Sequence, residues 1–170
     1  MNQTYERQFK QDLHSAVAAM QPNYMVTMNY RRPLPGSAET RRRTVVTHFR
    51  EWNRQVLEAL FGRKFSKRNQ ADAYLGVAFI EVGPLLLKEH MHVLVRVPED
   101  LQPRFEAKAG ALWLPKEIAP AAGRERTAIE SDILVRRIHD VDGAVRYCAK
   151  DVRVRSDNIV FSNEFRITAG

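Results

Sequence analysis

Two histidines one residue apart, His90 and His92, stand in the run Lys88-Glu89-His90-Met91-His92-Val93-Leu94-Val95-Arg96-Val97. The run reads as a β-strand, because Val and Leu crowd it and Pro98 stops it. Side chains two apart on a strand share a face. Both imidazoles then look to one side, and Met91, Val93, Val95 and Val97 to the other, which suits a core. Neutral imidazole nitrogen is a common ligand, so two fixed side by side could hold a divalent metal. Alone the pair is a weak motif, and its plain alternative is a structural role.

Glu81 closes a second expected strand, 74–82, nine residues before His90. Gly83-Pro84 turns the chain between the two, which predicts an antiparallel hairpin. With Glu81 across from His90, its carboxylate reaches the imidazole face. Two His and one carboxylate leave coordination positions open, as a catalytic metal needs. The alternative for Glu81 is a surface carboxylate at a strand end. Tyr147 and Lys150 lie three apart in Ala144-Val145-Arg146-Tyr147-Cys148-Ala149-Lys150-Asp151, a spacing that places both on one helix face. A phenol can attack phosphorus and become a stable phosphotyrosine. Its free pKa of about 10 means that it needs a cation or a metal nearby. The alternative is a Tyr with its ring in the core and its hydroxyl at the surface. Imidazole and carboxylate without thiolate favour Mn²⁺ or Mg²⁺ over zinc, since Cys148 should point off the Tyr face.

The elements that must position these groups follow from composition and periodicity. The chain has 170 residues, 44% hydrophobic and 28% charged, which predicts one soluble domain with its own core. No apolar run approaches the ~20 residues of a membrane span. Glu6, Lys10 and Asp12 interrupt the first 20 residues, so they do not read as a signal peptide. The single cysteine, Cys148, excludes an internal disulfide and predicts a reducing, cytoplasmic location. A net charge of +7 favours a polyanionic partner, nucleic acid before an acidic membrane surface. Many basic proteins nonetheless bind no polyanion.

Tyr5, Phe9, Leu13, Val17 and Met20 recur at helical spacing and predict a helix over 4–20. Residues 24–30 read as a strand, and 31–43 as a loop ending in Arg41, Arg42 and Arg43. The stripe Val45, Phe49, Trp52, Val56, Leu57 and Leu60 predicts a helix over 44–61, with Gly62 as C-cap and Trp52 in the core. Lys64, Lys67 and Arg68 form a basic turn. Residues 98–120 read as loop with a short helix near 104–108, and 119–126 as a mobile basic stretch. A strand is expected over 133–139, then a helix over 144–152 with Asp142 as N-cap, then a strand over 158–168. The expected fold is α+β: a central antiparallel sheet of about five strands, helices packed on one face, and the other face free for the site.

Three segments, in order, resemble the HUH endonucleases of rolling-circle replication initiators. Tyr24-Met25-Val26-Thr27-Met28-Asn29-Tyr30 looks like the family's opening motif, although Tyr24 and Val26 offer no clean Phe there. Glu81 with His90-Met91-His92 is similar to its His–hydrophobic–His with an upstream acidic ligand. Tyr147-Cys148-Ala149-Lys150 looks like its Tyr-x-x-Lys nucleophile motif. Each motif is unspecific alone; their order and strand and helix contexts together are far more specific. A single Tyr that follows the His pair resembles the single-tyrosine initiators.

The resemblance implies one HUH endonuclease domain over 1–170; no helicase domain is expected before the sequence ends at Gly170, a departure from the family. It implies that Tyr147 attacks a single-stranded DNA phosphodiester and leaves a 5′-phosphotyrosine and a free 3′-hydroxyl. His90, His92 and Glu81 would hold Mn²⁺ or Mg²⁺. Lys150 would favour the phenolate or steady the phosphate. Arg41, Arg42, Arg43, Lys64, Lys67 and Arg68 are candidates for gripping the DNA backbone. Origin or other single-stranded DNA is the expected partner, with a host helicase as a further candidate and no membrane. Two alternatives stay open. One is a single-tyrosine HUH transposase. The other is a non-catalytic nucleic-acid-binding module, which would need exposed aromatics such as Phe79 and Tyr74 on central strands.

Overall fold

Side-chain alternation decides the layers of the sheet. The computed structural model describes residues 3–63, 65, 74–81, 89–113, 131–150, 152 and 159–162. Strand β1 (Tyr24–Tyr30) sinks every second residue: Tyr24, Val26, Met28 and Tyr30 are all buried. Strands β2 (Leu75–Glu81) and β3 (His90–Arg96) are buried through their interiors on both faces. Helix α1 (Gln3–Ala19) precedes β1, and α2 (Ala38–Phe61) follows it. After β3 come a 3₁₀ turn (Glu99–Leu101), α3 (Gln102–Lys108), β4 (Ser131–Arg137), α4 (Val141–Ala149) and β5 (Ile159–Phe161). The fold is α+β. Among the described residues five strands form one antiparallel sheet in the order β4-β1-β3-β2-β5.

One face carries the larger core. Val45, Phe49, Trp52, Val56, Leu57 and Leu60 of α2 pack on Tyr24, Val26, Met28, Met91, Val93 and Val95. The indole N–H of Trp52 donates to the carbonyl of Ala109 at 2.9 Å, so its one polar atom is satisfied in the core. The second face is covered as well, which corrects the expectation of helices on one side only. Leu13 and Val17 of α1, with Val145, Cys148 and Ala149 of α4, pack on Val77, Phe79 and Leu94. The apolar stripes of both helices need burial, and the alternate residues of β2 and β3 supply the surface. This second layer brings Tyr147 to the sheet face that bears His90 and His92.

Several boundaries move for identifiable reasons. Helix α2 begins before residue 44, because the Ser37 side chain caps it by accepting from the Thr40 N–H at 3.2 Å. Arg41, Arg42 and Arg43 are therefore helical rather than loop residues. Helix α4 is capped by Asp140, not Asp142; its carboxylate accepts from the Gly143 N–H at 2.9 Å. Gly143 makes that cap possible, since a Cβ there would stand 2.2 Å from the Asp140 carboxylate oxygen. The strand expected over 133–139 runs from Ser131 to Arg137. Residues 82–88, 119–126 and the part of the final strand beyond Phe161 that extends from 163 lie outside the described residues.

Arg41 points inward. Its guanidinium forms an ion pair with Glu89, and the two side chains are 7% and 0% exposed. Glu89 also accepts the Leu34 N–H at 2.9 Å, and Arg41 donates to the Gly36 carbonyl at 3.2 Å. The pair ties the start of α2 to the residue preceding His90. Breaking one side of a buried pair leaves a charge without compensation. Arg41→Met is expected to lower unfolding stability by about 3–5 kcal/mol. Arg41→Met with Glu89→Leu should regain most of that loss. Guanidinium chloride titrations of the three proteins measure it.

Candidate metal centre and tyrosine

β2 and β3 pair in the register Glu81↔His90 and Phe79↔His92. Glu81, His90 and His92 therefore share one sheet face, because all three occupy the same side of the pleat. Nε2 of His90 lies 2.8 Å from Oε2 of Glu81, and Nε2 of His92 lies 3.8 Å from Oε1. The two imidazoles meet edge to face, with centroids 5.3 Å apart. One ligand atom from each residue falls within a span of 4.8 Å. Ligand atoms bound at about 2.1 Å to one ion stand at most about 4.2 Å apart.

The local chemistry fits a divalent ion. Nε2 of His92 and Oε1 of Glu81 are both buried without a hydrogen-bond partner, and they face each other. A buried polar atom left this way is costly unless something else binds it. Burial, then the charges of His90 and Lys150, pushes the His92 pKa down to about 4. The ring is neutral at pH 7 and can offer a lone pair. Its other nitrogen, Nδ1, is 3.1 Å from the Thr27 hydroxyl. Cys148 is buried in the α4 core, and burial followed by the charge of Glu81 pushes its thiol up to about 12. It stays protonated and contributes no thiolate ligand, so the donor set is nitrogen and oxygen.

Tyr147 stands over this cluster. Its ring meets that of His92 edge to face, with centroids 5.0 Å apart. Helix α4 buries Val145, Cys148 and Ala149 beneath it, which leaves Tyr147 48% exposed on the turn above. The Lys150 ammonium sits 4.5 Å from the centroid of that ring, within cation–π range. Three distant parts of the chain thus converge: a β-hairpin, the middle of β1 and the last turns of α4. Together they present a carboxylate, two imidazoles, an exposed phenol and an ammonium.

Of the expected DNA-gripping residues, Arg41, Arg42 and Arg43 belong to α2 rather than to this cluster. Arg41 is occupied by Glu89 in the interior. Arg43 is exposed and pairs with Glu39 at 2.8 Å. Arg42 also belongs to α2, whose apolar stripe packs on the opposite sheet face. Lys64, Lys67 and Arg68 lie outside the described residues. Phe79 and Tyr74 are 1% and 0% exposed, so neither is a stacking platform. Thr27 is the site contact that sequence reasoning did not single out. Its β1 register, opposite His92, is a pairing between strands 65 residues apart. No family model matches the chain, and neither the curated proteins nor the solved structures compared with it give a match.

Proposed function

We propose that this protein is a metal-dependent, single-stranded DNA nicking and joining enzyme of the single-tyrosine replication-initiator kind. One observation carries the reading: an exposed phenol lies against His92, on the same sheet face as a Glu-His-His cluster fit for a divalent ion. In this reading the Tyr147 oxygen attacks the scissile phosphorus. A bond forms between that oxygen and phosphorus as the phenol gives up its proton to solvent, and the bond from phosphorus to the 3′-oxygen breaks, that oxygen taking a proton from solvent and leaving as the 3′-hydroxyl. The 5′ end remains on Tyr147 as a phosphotyrosine. Attack by a 3′-hydroxyl reverses the step, and no ATP is consumed because the tyrosyl ester keeps the bond energy. Bound Mn²⁺ or Mg²⁺ supplies polarisation of the phosphate and offsets its developing charge.

The remaining work falls to the chain itself. His90, His92 and Glu81 hold the ion's ligand atoms in a fixed constellation. Lys150, placed over the Tyr147 ring, supplies positive charge where phenolate and phosphate meet. Burial keeps His92 neutral so that it remains a ligand rather than a cation. The net charge of +7 favours a polyanionic substrate. The proposed partners are origin or other single-stranded DNA and a host helicase. A cytoplasmic setting agrees with one buried, unpaired cysteine, and no helix among the described residues is long and apolar enough to cross a membrane.

The test is covalent capture. The protein is incubated with a library of single-stranded oligonucleotides and Mn²⁺, then run on a denaturing gel. A subset of sequences should be retained as protein–DNA adducts, with none in excess EDTA. Binding without any adduct across the library would leave a binding module and remove the nuclease.

A further inference from the structure

Thr27 occupies the middle of β1, paired with His92 on one side and Leu134 on the other. Its hydroxyl oxygen is 3.1 Å from Nδ1 of His92. The ring's other nitrogen is buried and has no hydrogen bond. A neutral imidazole carries one proton, on one nitrogen or the other. A proton on Nδ1 has the Thr27 oxygen as acceptor, and the Nε2 lone pair then faces Glu81. A proton on Nε2 would lie on an atom 3.8 Å from Oε1 of Glu81, too far for a hydrogen bond, and would block that nitrogen as a ligand.

We propose that Thr27 is a positioning residue of the metal centre, whose oxygen accepts the Nδ1–H of His92 and so leaves Nε2 free to bind the ion. This rests on the metal reading of the cluster given above. Ligating histidines are commonly held this way by a partner on the far nitrogen, which fixes both tautomer and ring plane. The partner here comes from a neighbouring strand of the same sheet. The distance between β1 and β3 is set by ladder hydrogen bonds, so the contact is preorganised. A β-branched side chain adds stiffness at χ1, which limits where the hydroxyl can go. Valine would keep that shape and lose the acceptor. Serine would keep the acceptor and lose some stiffness.

A hydroxyl can donate as well as accept, so the tautomer is the discriminating observable. Long-range ¹H–¹⁵N correlation spectra of the metal-free wild-type protein should show His92 protonated at Nδ1. Thr27→Val should shift the proton toward Nε2. In calorimetric titration with Mn²⁺, Thr27→Val should bind about tenfold to a hundredfold more weakly, and Thr27→Ser should keep most of the affinity. Wild-type His92 protonated at Nε2, or Thr27→Val binding Mn²⁺ as tightly as wild type, overturns the proposal. Should Thr27→Val fail to fold, the wild-type tautomer and the Thr27→Ser titration still decide it. No DNA enters either measurement. Normal Mn²⁺ binding with no oligonucleotide capture would sink the nuclease and leave Thr27's role intact. A wild-type protein that binds no Mn²⁺ removes the metal centre and this proposal together.

Discussion

Tyr147→Phe is expected to bind the oligonucleotides captured by the wild type with nearly unchanged affinity and to form no covalent adduct. The substitution removes one oxygen from a side chain that is 48% exposed. The ring contact with His92 and the Lys150 ammonium over the ring both survive it. Folding stability should therefore move by no more than about 0.5 kcal/mol, as for other surface changes. The variant removes the proposed nucleophile, so adduct formation should fall by about 10⁴-fold or more. A denaturing gel over matched time courses measures it, with thermal unfolding as the control. An adduct from the Phe variant would assign the attack to another residue. Among the described residues Tyr5 of α1 is the other exposed tyrosine, at 62%, and Tyr5→Phe would be the next variant made.

His90→Ala combined with His92→Ala should abolish cutting at every Mn²⁺ concentration. Both candidate ligand nitrogens disappear, and Glu81 alone offers one carboxylate. Loss of phosphate polarisation removes several kcal/mol of transition-state stabilisation. At 1.36 kcal/mol per tenfold, that corresponds to about 10³-fold or more in rate. Excess Mn²⁺ would rescue a merely weakened site, so the full titration is the useful measurement. The two imidazoles differ in placement: His92 is 4% exposed and lies under Tyr147, whereas His90 is 32% exposed. Truncating His92 leaves a hole, and its effect on folding must be separated from its effect on the ion. Glu81→Gln does that, because it keeps volume and hydrogen-bonding capacity while removing the charge. It should weaken Mn²⁺ binding and cutting together without a fall in melting temperature. Cutting that persists in the double alanine variant would make the imidazoles structural.

Local patterns were legible where short-range forces decide. Composition gave the strands over 24–30 and 90–96, and alternation gave the two faces of the second, because a strand's side-chain period is fixed at two. The hairpin itself was legible from Gly83-Pro84 between two strands, whereas Glu81 opposite His90 was a condition on its register, which the sheet fulfils. Trp52 in the core followed from the helical stripe of α2. Helix starts were less legible. Ser37 and Asp140 cap their helices by bonds to specific N–H groups, and a neighbouring Asp or Thr looks equally suitable in the sequence. Arg41 shows the sharper limit. It stands in a run of three arginines that reads as solvated surface, yet its partner Glu89 is 48 positions away and fully buried. Nothing local tells one arginine of such a run from the next.

By itself the chain marked out which groups are candidates for chemistry, and determined that His90 and His92 share one side of a strand. Those facts depend on residue type and backbone periodicity. Tertiary structure alone decided that α4 lies on that same side rather than among the helices of the opposite layer. It alone brought Tyr147 to 5.0 Å from His92 and Thr27 to 3.1 Å. The reason is that both placements come from long-range packing: the apolar stripe of α4 needed Val77, Phe79 and Leu94 for burial, and β1 found its partner across 65 residues of chain.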